Sequence, residues 1–202
     1  FLPFRTQGFA GRTSYTFDDR YIAEFNFGYN GSENFAPGKR FGFFPAVAMG
    51  WIVSQEKFMK SVSNTLSLLK LRTSWGLAGN SDIMGRRFAY ISTIANAGYY
   101  YYGTDGSLYR LGRAEGDIGV SDLTWETVVK MNLGVDIGLF NNDVTLSIDL
   151  FKEKRKNIFM QRTNIPASAG FNKPVWANYG KVDNQGVDMS LNLRHRFNKD
   201  FD

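Results

Sequence analysis

The most regular feature of the chain is an alternation, two residues in period, of large apolar with small or polar side chains. In RYIAEFNFGYN, residues 20–30, Tyr21, Ala23, Phe25, Phe27 and Tyr29 share one side, and Ile22, Glu24, Asn26, Gly28 and Asn30 the other. Successive side chains of an extended strand point to opposite faces, so this stretch is expected to be a strand. TVVKMNLGVDIGL, residues 127–139, sets Val129, Met131, Leu133, Val135 and Ile137 against Lys130, Asn132, Gly134, Asp136 and Gly138. Leu69, Leu71, Thr73, Trp75 and Leu77 oppose Lys70, Arg72, Ser74 and Gly76. Val187, Met189, Leu191, Leu193 and Phe197 oppose Asp188, Ser190, Asn192 and Arg194. The pattern predicts strands over 8–17, 20–30, 43–54, 66–78, 124–139, 144–160 and 177–197, with one short helix over SQEKFMKSV at 54–62. The fold class is all-β.

The connections differ in kind. Asp18-Asp19 and Asn141-Asn142-Asp143 are tight-turn sequences. GSENFAPGKRFG at 31–42 and residues 79–123 and 161–176 are long loops. Short turns at one end and long loops at the other belong to an antiparallel transmembrane barrel, with periplasmic turns and extracellular loops. A soluble β-sandwich has no reason to keep its long loops at one end, although its solvent face would accept the same polar rows. Tyr21 to Tyr29 spans about 26 Å at roughly 3.3 Å per residue, or about 20 Å of height at a 40° tilt, close to the apolar band of an outer-membrane barrel. Tyrosines at the ends of that span and phenylalanines in its middle suit a bilayer, since tyrosine favours the headgroup level.

Composition adds limits. Hydrophobic residues make up 43% and charged residues 21%, which alone does not mark a membrane protein, and no apolar run is long enough for a transmembrane helix. The 16% of aromatic residues fits lipid-facing strands. The chain has no cysteine, which removes disulfides and thiolate metal sites. A net charge of +5 comes from scattered basic residues without a basic helix, so nucleic acid is not an expected partner. FLPFRTQG at the start has no signal-peptide pattern.

Several ordered blocks carry a resemblance to the barrel of the SusC/RagA family of TonB-dependent outer-membrane transporters of Bacteroidota. They are GRTSYTFDDRYIAEFNFG, YNGSENFAPGKRFGFFPAVAMGWIVSQEKFM at 29–59, LKLRTSWGLAGN at 69–80, LTWETVVKMNLGVDIGLFNNDVTLSIDLFKEKRKNIFM at 123–160 and NYGKVDNQGVD at 178–188. The resemblance implies a barrel of about 22 strands closed by an N-terminal plug. It also implies a SusD-like surface lipoprotein as cap, and uptake of oligosaccharides or peptides powered by the TonB–ExbB–ExbD complex. About seven strands, with no plug and no TonB box, make residues 1–202 an expected internal part of such a barrel, partnered by the rest of the barrel and its plug. An open sheet of seven strands is expected to form no functional pore alone.

Within that frame Glu24, Asn26, Lys70, Arg72, Lys130, Asp136, Asp149, Asp188 and Arg194 are expected to line the lumen, among small residues such as Ala46, Ala48, Gly50, Gly134 and Gly138. Tyr21 and Tyr29 are expected at the lipid interface. Lys152, Lys154 and Lys156 follow Val144, Leu146, Ile148 and Leu150 in phase, either at the outer interface, where lipopolysaccharide phosphates would attract cations, or on a solvated strand extension above the bilayer. Tyr99, Tyr100, Tyr101 and Tyr102, in the longest loop, are candidate ligand contacts, with loop packing or contact with the cap as the plainer role.

No metal or cofactor is expected. TDGS at 104–107 and DNQGVD at 183–188 lack the ordered oxygen ligands of a calcium loop, and His195 is a lone histidine. No nucleophile elbow, phosphate loop or zincin pattern occurs, and sequence spacing gives no reason to bring two carboxylates together. An enzyme is not expected. The competing function is a soluble β-sandwich that binds glycans or mediates adhesion through the tyrosine loop.

Overall fold

The computed structural model describes residues 3–194; His195 and Phe197, assigned from sequence to the last strand, lie outside the described residues. The described residues form nine strands: β1 (Thr6–Phe17), β2 (Tyr21–Ser32), β3 (Phe41–Ile52), β4 (Leu66–Asn80), β5 (Ile94–Tyr102), β6 (Leu108–Glu115), β7 (Glu126–Leu139), β8 (Val144–Gln161) and β9 (Trp176–Leu193). Seven of them make one antiparallel sheet in the order β1-β2-β3-β4-β7-β8-β9, and β5 pairs only with β6. The large sheet is open, with β1 and β9 at its edges.

Register carries the alternation across the whole sheet. One row of partners runs Tyr15, Ala23, Met49, Thr73, Leu133, Leu150, Val187, and the adjacent row runs Ser14, Glu24, Ala48, Ser74, Asn132, Phe151, Gly186. One face is therefore apolar and the other predominantly polar throughout. Strands of 12 to 18 residues exceed the five or six usual in soluble sheets. No second sheet covers the apolar face among the described residues, and Phe25, Phe43, Met131, Leu150 and Met189 all stand exposed on it.

The tight turns form where expected. Asp18 and Asp19 both take φ of 50°, the left-handed centre of a tight turn closed by the Arg20 N–H on the Phe17 carbonyl at 3.1 Å. Phe140, Asn141 and Asn142 are also left-handed, and the Ser67 hydroxyl accepts the Asn142 N–H. The predicted short helix is two 3₁₀ segments, Val53–Gln55 and Lys57–Val62. The loop over 79–123 is corrected: it contains the β5–β6 hairpin, in which the strand-favouring tyrosine run at 99–102 pairs with 108–111. The last strand ends at Leu193, so Arg194 lies just past it, with its N–H donated to the Asp143 carbonyl at 2.7 Å.

The buried core lies among the long loops rather than under the sheet. Phe35, Ile83, Val120, Leu123, Trp125 and Phe159 pack together, joined by Phe44 from the polar face and by Trp176. Trp125 lies between Phe35 and Phe44, with ring centroids 5.0 and 5.2 Å away. Asn157, left-handed at φ 59°, marks a bulge in the β8–β9 ladder just before Phe159. Polar ties complete the layer: Asn34 Nδ2 donates to the Ser81 carbonyl, Arg87 pairs with Glu33 at 2.6 Å, and Lys39 donates to the Ser121 carbonyl. The long loops form one packed layer at one end of the sheet.

Candidate functional site

Three regions hold the residues singled out from sequence. The first is the polar face. Arg72 on β4 grips Asp136 on β7, Nε to Oδ2 at 2.8 Å and Nη2 to Oδ1 at 2.9 Å, and the same Nη2 reaches Asp149 on β8 at 2.9 Å. Ser147 donates to Asp136 and Asn132 to Asp149. Gly134 makes the long reach possible. A Cβ at that position would stand 2.6 Å from Asp149 Oδ1 and 2.8 Å from the Arg72 Cζ.

Register also sets Asp149 directly opposite Asp188, so carboxylates do come together, contrary to the expectation from spacing. Arg72 neutralises Asp149, whereas Asp188 stands exposed. Further along the face, Arg12 pairs with Glu24 at 2.6 Å, Asn26 donates to the same carboxylate, and Lys130 pairs with Glu153 at 3.0 Å. Lys70 has no ion pair among the described residues; its side chain lies over Gly50, beside a concavity shared with Glu24, Ala48, Arg72 and Asn132. Glu24, Asn26, Lys70, Arg72, Lys130, Asp136, Asp149 and Asp188 thus share one face, and only Arg194 falls outside the strands.

The second region is the aromatic border of the apolar face. At the short-turn end Tyr21 stacks on Trp51 at 6.3 Å, and at the long-loop end Tyr29 stacks on Phe41 at 5.1 Å. Glu56, which sequence reasoning missed, ties the lower border. Its carboxylate accepts the Tyr21 hydroxyl at 2.7 Å, the Trp51 indole N–H at 3.1 Å and Arg20 Nη1 at 2.8 Å. The Tyr21 hydroxyl is the strongest influence on Glu56 and holds it below the ordinary carboxylate value, with Trp51 and Arg20 acting the same way against the opposing effect of burial. Nothing in the local sequence marks this residue, because its partners come from two different strands. Lys152 and Lys154 stand exposed on β8, on the same side as the apolar row.

The third region is the β5–β6 hairpin. The four consecutive tyrosines do not act as one group. Tyr99 and Tyr101 lie on one face with Tyr109, at centroid separations of 5.3 and 6.1 Å from it, while alternation puts Tyr100 and Tyr102 on the other. Tyr109 is the member that sequence reasoning overlooked. At the tip the Ser107 hydroxyl and backbone N–H hold the Asp105 carboxyl below its ordinary value. At the base, Thr93 and Ser92 accept N–H groups from Gly116, Asp117 and Gly119 and anchor the hairpin to the loop layer. Among the described residues no group of three or more His, Asp or Glu could hold a metal ion.

This two-faced sheet has known counterparts. The chain is 34% identical over 192 residues to the TonB-dependent receptor SusC of Bacteroides thetaiotaomicron, which covers 95% of this chain and 19% of that protein. It is 32% identical over 192 residues to the TonB-dependent receptor P3 of Formosa agariphila, covering 95% of this chain and 18% of that protein. The chain thus spans about a fifth of the length of these relatives. The RagAB peptide importer in its closed-closed state superposes with a TM-score of 0.80 at 26% identity, over 97% of this chain and 20% of that one. These relatives are receptors and transporters, not enzymes. Residues 3–202 match the family described as TonB dependent receptor-like, beta-barrel, and the chain belongs to that family.

Proposed function

We propose that this chain forms part of the wall of an outer-membrane importer for oligosaccharides or peptides, energised through TonB–ExbB–ExbD. The observation that carries the proposal is that an apolar and a polar face run across all seven long strands, with register shifts only near the strand ends, between Leu66 and Leu68 and around Asn157. Lipid suits the exposed apolar face, and a water-filled or plug-filled lumen suits the paired charges. The open edges β1 and β9 are then completed by further strands of a barrel of about 22, since unpaired backbone groups are costly in lipid.

The packed loop layer becomes the extracellular end, beneath a SusD-like lipoprotein, and the β5–β6 hairpin presents Tyr99, Tyr101 and Tyr109 to incoming ligand. Likeness to SusC and to a peptide importer supports both partner and substrate class.

Spin labels at Met189→Cys and Ser190→Cys, neighbours on opposite faces, test the wall in the full-length transporter. Collisions with oxygen should dominate at 189 and with a water-soluble nickel chelate at 190. A label at 189 shielded from both reagents would favour the soluble sandwich instead.

A further inference from the structure

We propose that Lys152, Lys154 and Lys156 form a binding ladder for the phosphate of an outer-leaflet phosphorylated glycolipid, the lipid A class. The proposal rests on the wall reading above. Below the lysines the outward row of β8 is Val144, Leu146, Ile148 and Leu150. The change from apolar to polar occurs at one step on two strands: Leu150 pairs with Val187, and the next outward pair is Lys152 with Gln185. Acyl chains would lie against Leu133, Leu150 and Val187 and along Met131 and Val129 of β7, the register partners of Lys152 and Lys154, which places the headgroup phosphate on the β9 side of the lysines. A free phosphate would have no use for the apolar half of this surface.

The lysines are also available. Carboxylates nearby are taken on the other face, where Glu153 holds Lys130 at 3.0 Å and Glu126 holds Arg155 at 2.6 Å. Lys152, Lys154 and Lys156 are exposed and, among the described residues, have no ion pair, although Asp183 is the register partner of Lys154. Alternate residues stand about 6.6 Å apart along a strand, so long flexible side chains from successive rungs can converge on one phosphate. Alternation from Asp183 sets Lys181 of β9 beside the top of the ladder, and the left-handed Asn157 bulge ends it.

The test titrates the detergent-solubilised full-length transporter with lipid A, with dephosphorylated lipid A and with inorganic phosphate. Lysine-to-glutamine changes at 152, 154 and 156 together should weaken lipid A binding by about tenfold or more. Arginine at the same three positions should retain it, and dephosphorylated lipid A should bind the native protein no better than lipid A binds the glutamine variant. Equal lipid A affinity in the glutamine variant, or no preference for the phosphorylated lipid, overturns the proposal. So does inorganic phosphate binding as tightly as lipid A. If phosphate preference is absent while the label at 189 still faces lipid, only the ladder fails; a label at 189 shielded from oxygen removes the wall itself.

Discussion

Arg72 and Asp149 lie two strands apart, yet the guanidinium reaches the carboxylate at 2.9 Å because Gly134, between them, has no side chain. Three strands are thereby clamped on the polar face. Gly134→Val should push the partners apart, leave Asp149 facing Asp188 unneutralised and lower stability by about 1–3 kcal/mol. Gly134→Ala should cost less, since the first atoms it meets belong to side chains. The temperature at which the full-length barrel loses its heat-modifiable electrophoretic mobility measures both. Indifference to Val would show that the clamp contributes nothing.

Glu56 sets up a pH dependence whose sign follows from its environment. Three donors stabilise its ionised form, so its folded-state value is depressed. Such a group contributes stability that is present above the ordinary carboxylate value and is lost as pH falls through the depressed one. Native protein should therefore melt higher than Glu56→Gln at neutral pH, and the gap should close on acidification below the ordinary carboxylate value. Melting curves of both proteins across that range check this; a gap that widens in acid refutes it.

At the first hairpin, Asp19 holds φ of 50°, a conformation in which a Cβ is strained. Asp19→Gly should stabilise by up to about 1 kcal/mol, and Asp19→Val should destabilise by roughly 1–2 kcal/mol. Asp18 is left in place because it pairs with Arg20. Opposite shifts in the melting temperature are the expected signature.

The hairpin turn and the two faces were legible in the sequence because both are local: a pair of aspartates for the turn, a period of two for the faces. The Arg72–Asp149 pair was not. Each residue was assigned to the right face, but their meeting depends on register across three strands and on a glycine in the middle. Glu56 was invisible for a related reason, since its donors Tyr21 and Trp51 come from different strands. Residues 79–123 misled because their glycines and polar residues read as a loop, while Tyr101 and Tyr109 found each other only by folding back.

Trp125 is the centre of the loop layer, buried between Phe35 and Phe44. Trp125→Ala should remove about 3–5 kcal/mol of local packing energy. Although Phe44 of β3 touches Trp125, the strands below are held in register by their backbone ladders, so the barrel should keep its heat-modifiable mobility while loops 81–93 and 116–125 become open to protease. Limited proteolysis followed by mass mapping distinguishes this from global unfolding. Unchanged cleavage at both loops would mean that the layer holds without its tryptophan.

The tyrosine run now makes a sharper prediction than it did as a sequence. Tyr99, Tyr101 and Tyr109 share a face of the hairpin, and Tyr100 and Tyr102 occupy the other. If the clustered face meets the ligand, Tyr101→Ala and Tyr109→Ala should each weaken ligand binding by the full-length transporter by about fivefold or more, the effect of removing one stacked ring. Tyr102→Ala should leave affinity unchanged. All three variants keep the β5–β6 ladder, so the comparison separates face from fold. Equal losses at 101 and 102 would point to general destabilisation of the hairpin, and no loss at 101 or 109 would assign the cluster to packing alone.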